Sequence, residues 1–199
     1  MASKFMQLAL TPEVQAAQDH YFGRHQTIAN APERDTFTDD ELAFISARDS
    51  FYMASTNSDG WPYIQHRGGP PGFLKVIAPD QLGFADFKGN RQMLTTGNLA
   101  TNDRVALFLM DYPQQTRLKI LGHARVLDAR ENGNLADQLC PLPELRDKVE
   151  RLFIIQVVGF DWNCPKYITP RYSASEVGEA IEPLKARIAE LEEQLRRKA

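Results

Sequence analysis

Cysteine is nearly missing from this chain: Cys140 and Cys164 are the only two in 199 residues. Two thiols without a CxxC spacing exclude a disulfide scaffold and a zinc-ribbon core. The expected state is two free thiols in a reducing cytoplasm, a Cys140–Cys164 bridge being the alternative. Charge of one sign is missing too. Lys+Arg 23 against Asp+Glu 26 leaves a net −3, so no overall cationic field draws nucleic acid or an anionic bilayer, and neither is an expected partner. No apolar run approaches the roughly 20 residues that span a membrane. Met1–Leu10 is short, mixed and soon followed by Pro12 and Glu13, unlike a secretory leader. With 12 Gly and 12 Pro, collagen and low-complexity disorder are excluded as well. What remains is an ordinary globular composition at a length that can bury a core without staples.

The N-terminal part reads as helical. Val14, Ala17 and Tyr21 recur at helical spacing within Thr11–Phe22, and Gly23 is a plausible stop. Thr38-Asp39-Asp40-Glu41 is a capping box that opens a helix through Leu42, Phe44, Ile45 and Ala47. The period then changes. Ser50–Thr56 and Trp61–Arg67 read as strands around the turn Asn57-Ser58-Asp59-Gly60, and Gly68–Gly72 reads as a loop. Further strands are expected at 73–77, 82–87, 104–110, 117–127 and 152–160, with one internal helix from about Asn90 to Leu99. Short turns and the lack of helical crossovers imply antiparallel pairing. The expected fold is mainly β (α+β): a six-stranded antiparallel barrel spanning 38–172, preceded by a helical extension over 1–37 and followed by a helix over 173–199.

Two segments carry a pattern of their own. On 117–127, Leu118, Ile120, Ala124 and Val126 share one face, and Arg117, Lys119, His123 and Arg125 share the other. Four basic groups on one face repel unless carboxylates or an anion lie nearby. In Glu179–Ala199, Ile181, Leu184, Ile188, Leu191 and Leu195 form a heptad seam. Such a helix is marginal alone, so the seam is expected to pack either on a partner chain or on its own body.

Several common sites are missing. There is no GxxxxGK[ST] loop, HExxH helix or GxSxG elbow, and Gly68–Gly72 is not GxGxxG, so no metal site or Rossmann site is expected. An anion-binding arrangement remains. Lys88-Gly89-Asn90-Arg91 lies where a strand is expected to pass into the internal helix, and a helix start offers unpaired N–H groups. The alternative is a solvated basic turn. Gln65, His66 and Arg67 end the second strand and add donors if the fold brings the two ends together.

The order of these segments resembles the pyridoxamine 5′-phosphate oxidase-like flavoproteins. Trp61-Pro62 through Arg67-Gly68-Gly69 to Pro71-Gly72-Phe73 is similar to their WPxxxxRGGxPGF stretch. Phe84 through Arg91, Gly97-Asn98-Leu99 with Arg104–Leu107, and Leu118–Ala124 follow in the family's order. Asn163-Cys164-Pro165-Lys166-Tyr167-Ile168 with Arg171 looks like the tail motif of one FMN-binding subgroup. The resemblance spans about Thr38 to Arg171 and implies a split β-barrel homodimer with FMN at the subunit interface. By analogy Gln65, His66, Arg67, Asp86, Lys88, Asn90 and Arg91 bind the cofactor. Arg67 and the Lys88–Arg91 junction would take the phosphate, and the backbone around Phe73 and Ala85 would line the ring. Asn163, Cys164 and Lys166 would complete the pocket, from the second chain if the dimer places them there.

The family's true oxidases carry an Arg-x-x-x-Leu-Lys strand and an Arg-Leu-x-Pro ending. Here Gln65-His66-Arg67-Gly68-Gly69 and a heptad helix stand instead, so vitamin B6 phosphate oxidation is not the expected activity. The leading expectation is an FMN-dependent oxidoreductase acting on an unspecified small molecule or electron donor. No catalytic acid or base is assigned, His66 and Lys166 being the candidates. The alternatives are a non-catalytic protein that stores or senses flavin, deazaflavin or haem, and an interaction protein working through its tail.

Overall fold

A computed structural model of the chain describes residues 3–89, 91–162 and 165–198. It opens with α1 (Ser3–Ala9), a helix the hydrophobic periodicity does not announce. Seven residues are too few to be helical through propensity alone. The first turn is held from outside: the buried Asp35 carboxylate accepts the backbone N–H groups of Lys4 and Phe5 at 3.1 Å each, and that of Phe160 at 3.2 Å. One carboxylate thus caps α1 and ties it to a strand far along the chain. The α2 helix (Pro12–Phe22) follows the sequence signals, with Pro at its start and Gly23 at φ 69° closing it. The α3 helix (Asp39–Ser46) opens on the expected capping box, the Glu41 carboxylate accepting the Thr38 N–H at 2.9 Å.

The strands are β1 (Ser50–Thr56), β2 (Pro62–Gly68), β3 (Lys75–Ala78), β4 (Gln81–Phe87), β5 (Arg104–Asp111), β6 (Thr116–Asp128) and β7 (Val149–Trp162). They form one antiparallel sheet of seven strands in the order β2-β1-β5-β6-β7-β4-β3. The α+β, mainly antiparallel class is as the sequence implies. The six-stranded closed barrel is not what forms: there are seven strands, and no pairing among the described residues joins β2 to β3.

Alternation puts one row of β1, β5 and β6 into the core, while residues 152–155 of β7 are buried on both faces and β2 and β3 contribute no fully buried residue. Phe51 and Met53 of β1, Leu107 and Leu109 of β5, Leu118 and Ile120 of β6, and Phe153 and Ile155 of β7 are all fully buried. Phe84 and Phe153 stack at 4.8 Å between ring centres, across the paired β4 and β7. The register of β6 against β7 shifts after Leu121, leaving Val158 as an extra residue. That bulge frees the Val158 carbonyl, which accepts the Asp35 N–H at 3.0 Å. It also brings Gly159 against α1: a Cβ there would lie 2.6 Å from the Phe5 nitrogen, so only glycine fits.

The internal helix is shorter than expected. Helix α4 spans Leu94–Leu99, and Met93 before it has a left-handed backbone at φ 57°. The turn holding Lys88 and Arg91 is therefore not a helix start, and Asn90 lies outside the described residues. A further helix, α5 (Gly133–Leu139), and a 3-10 turn over Pro143–Lys148 join β6 to β7; neither is among the expected elements. The last helix, α6 (Ala174–Lys198), starts earlier than its seam suggests, because Ser173 and Glu176 form a capping box of their own. No helix among the described residues is long and apolar enough to cross a membrane.

Glu41 links α3 to the end of β7, its carboxylate accepting the Trp162 indole N–H at 2.5 Å. Burial pushes this carboxyl up, but hydrogen bonds from Thr38 and Trp162 outweigh it and hold the group below its ordinary 4.5. A depressed folded pKa contributes stability that is complete above about pH 4.5 and is lost as pH falls through the folded value. Glu41→Gln is expected to cost about 1–2 kcal/mol at neutral pH. The difference from wild type should shrink below the ordinary carboxylate range, as urea unfolding across pH would show.

Candidate functional site

The sheet curls so that β2, although unpaired with β4, faces it across a cleft. Arg67 on β2 points inward on the same row as Gln65, because β-strand side chains alternate. Its Nη1 donates to Asp86 of β4 at 2.7 Å. Asp86 is the register partner of Arg151 on β7, and Arg151 donates from Nε to its other carboxylate oxygen at 2.8 Å. One carboxylate thus holds two guanidinium groups, and all three side chains are at most 16% exposed. The trio by itself carries one net positive charge, and Glu150, 3.2 Å from Arg151 Nη1, answers it from the Arg151 side, leaving the Arg67 end the more positive.

Arg67 is the centre of this arrangement. Its guanidinium lies 4.8 Å from the centre of the Phe153 ring and 5.7 Å from that of Phe84. Burial pulls its pKa down and Asp86 opposes that shift; an arginine stays charged regardless. Its Nε is buried and has no hydrogen-bond partner among the described residues. A buried donor left unpaired is costly, so an acceptor arriving in the cleft would be rewarded.

Two adjoining hollows share Arg67, Asp86 and Phe87. One, of about 180 Å³, also has His66, Gly68, Phe73, Phe84 and Ala85 on its walls. The other, of about 70 Å³, reaches Gln65, Thr95 and Arg151. Thr95 of α4 donates its hydroxyl to the Gln65 side-chain carbonyl at 2.8 Å, fixing that amide. The cleft therefore offers aromatic and backbone walls at one end and fixed polar groups at the other.

Gln65, His66, Arg67 and Asp86, all expected from the sequence, are thus brought together. Lys88 is exposed and Arg91 reaches out to Glu150 at 3.5 Å; neither lines the hollows. Asn90, Asn163 and Cys164 lie outside the described residues, and Lys166 stands exposed on a turn away from the cleft. Cys140 is a free thiol. Arg151 carries no motif and was not anticipated. A trace of it exists in the sequence: it is one of the few charges in the otherwise apolar run of β7.

A larger groove of about 720 Å³ lies on the outer side of the sheet. It is bounded by Tyr52, Phe108 and Met110 from the strands, Phe5 of α1, and Tyr167 and Arg171 from the segment before α6. Arg117 and Lys119 of the basic row of β6 line this groove, while His123 and Arg125 line a separate hollow beside Asp103. Carboxylates answer two of the four, Lys119 pairing with Asp161 at 2.7 Å and His123 with Asp103 at 2.9 Å. Arg117 lies 5.8 Å from the Phe108 ring, its Nε buried without a partner. Among the described residues no group of His, Cys, Asp and Glu is arranged to hold a metal ion.

The family model for pyridoxamine 5′-phosphate oxidase matches residues 37–142, more than half of the chain. The chain belongs to the pyridoxamine 5′-phosphate oxidase family. In this family member the matched stretch carries Arg67 and Asp86 but stops before β7, which supplies Arg151. No curated protein matches the chain. Among solved structures it is similar to HupZ of Group A Streptococcus, at 10% identity over 68% of this chain and 100% of that one, with a TM-score of 0.48. An FMN-binding protein of Syntrophomonas wolfei aligns at 9% identity over 63% and 87% of the two chains, TM-score 0.43. HutZ, the heme storage protein of Vibrio cholerae, aligns at 16% identity over 62% and 92%, TM-score 0.40. Likeness at this level says nothing of what this family member binds.

Proposed function

We propose that the chain is an FMN-binding oxidoreductase that works as a homodimer, with the cleft between β2 and β4 as its cofactor site. One observation carries the reading: the unpartnered Nε of Arg67, buried at the meeting point of an aromatic wall and a cationic trio. A phosphorylated flavin presents those two halves, an extended ring and a dianionic phosphate. Arg67 and Arg151 would hold the phosphate, and Gln65, fixed by Thr95, would orient a polar edge of the ring. Phe73, Phe84 and the backbone at Ala85 would shield the ring from water. FMN, when bound, supplies the two-electron chemistry.

The size of the cleft supports a second copy. Hollows of about 180 and 70 Å³ are smaller than the roughly 300 Å³ of the smallest usual ligand pockets, so another wall is needed. The outer groove supports it too. Tyr52, Phe108 and Met110 make β1 and β5 apolar on both faces, the mark of a sheet covered on both sides. Two curled sheets that meet at this face, each with a flavin in its cleft, is the split-barrel arrangement expected of the family.

Holding a cofactor without turnover is the second reading. It is favoured by the ion pairs that bind Asp86 on both oxygens, leaving exposed His66 as the one imidazole on the cleft walls among the described residues. The test is spectroscopic. The purified protein should show flavin bands and release a phosphorylated chromophore on denaturation. After photoreduction, reoxidation by a candidate acceptor faster than that of free FMN supports the oxidoreductase. Reoxidation slower with every acceptor, oxygen included, leaves the storage reading. A colourless chain that ignores excess FMN sinks both.

A further inference from the structure

The seam of α6 is not covered by its own body. Val177, Ile181, Leu184, Ile188, Leu191 and Leu195 are each 39–69% exposed, as on a helix standing alone. An amphipathic helix draws most of its stability from packing its apolar face, so the exposed stripe of this 25-residue helix calls for a partner. We propose that the partner is α6 of a second copy, paired parallel and in register as a two-stranded coiled coil.

The residues along the seam select that geometry. Spacings of 4-3-4-3-4 from Val177 put Ile181, Ile188 and Leu195 at the a positions and Val177, Leu184 and Leu191 at the d positions. Isoleucine at a with leucine at d favours two parallel strands over three or four. Charge agrees with the register. Arg187 falls at a g position and Glu192 at the e position five residues on, the pair that meets across a parallel dimer. The twofold axis makes this attraction twice. Within one chain and among the described residues Arg187 pairs with Glu190 of the same helix, an exposed contact that exchanges easily. Pro183 falls at c, away from the seam, so it does not block the approach. Six acids and five bases mixed along α6 give no cationic face to bind an anionic bilayer instead.

Continuity with the body supports the same copy. Tyr167 and Arg171 border the outer groove, and α6 begins three residues later at Ala174. A parallel pair and a groove-to-groove contact can share one twofold axis, each raising the effective concentration of the other. The pairing rests on the two-copy reading above and goes beyond it, since a flavin shared between bodies requires no particular path of the tail.

The test uses the full chain with Leu195→Cys. In a parallel, in-register pair the two introduced thiols come within disulfide reach. In an antiparallel pair centred on Ile188 they stand about 20 Å apart. Mild oxidation should convert most of the variant to a covalent dimer, well above the same treatment of wild type, which controls for Cys140 and Cys164. Arg187→Glu or Glu192→Arg in the L195C background should slow cross-linking about tenfold, from two attractions turned to repulsion, and the double exchange should restore it. A monomer by light scattering would overturn this pairing and the two-copy reading together. A dimer of L195C that fails to cross-link, or one that the double exchange fails to rescue, would overturn the pairing alone.

Discussion

Arg67→Met should abolish tight FMN binding, lowering affinity about 10- to 150-fold through the loss of one charge-assisted contact. The same change should destabilise the apo-protein by about 3 kcal/mol. The two effects have separate causes. The affinity is lost because the unpartnered Nε and its charge are the groups that await an acceptor. The stability is lost because Asp86 keeps only Arg151, and because methionine cannot reproduce the cation's position over Phe153. Flavin fluorescence quenching reads the first and urea unfolding without cofactor reads the second. Stability lost with affinity unchanged would mean that Arg67 braces β2 against β4 and nothing more.

Asp86→Asn makes the opposite cut through the trio. It should cost about 3 kcal/mol in a chloride buffer, because Arg67 then loses its carboxylate and faces Arg151, which keeps only Glu150. Much of that loss should return on adding inorganic phosphate, because an anion bound only to the folded state stabilises by mass action. Thermal unfolding of the variant at rising phosphate, against the same series for wild type, measures the recovery. A variant equally unstable at every phosphate concentration would show that an anion cannot reach Arg67 and Arg151.

Strands such as β1 and β5 were legible because each buries one row, and a period of two is written directly in Phe51, Met53, Leu107 and Leu109. Half of the site was legible for a related reason. Gln65, His66 and Arg67 fall in a short stretch whose neighbours resemble a known family, and Asp86 falls in another. Arg151 was not, because its meaning comes from pairing with a strand 65 residues earlier and from no local pattern. Lys88 and Arg91 show where local sequence does not fix placement. Their closeness in sequence to Asp86 suggested a shared anion site, but the left-handed turn at Met93 delays α4 and leaves them off the walls. Helix α1 escaped notice because its cap is Asp35, some 30 residues away, and no residue beside it.

That cap also orders events during synthesis. Asp35 can seat α1 from the moment it leaves the ribosome, but the third N–H it holds belongs to Phe160, 125 residues further on. The strand that carries Phe160 pairs with both β4 and β6, so the sheet lacks its central seam until late in translation. Nascent chains stalled before that strand emerges should therefore leave the N-terminal arm open to protease, although every residue of the arm was made first.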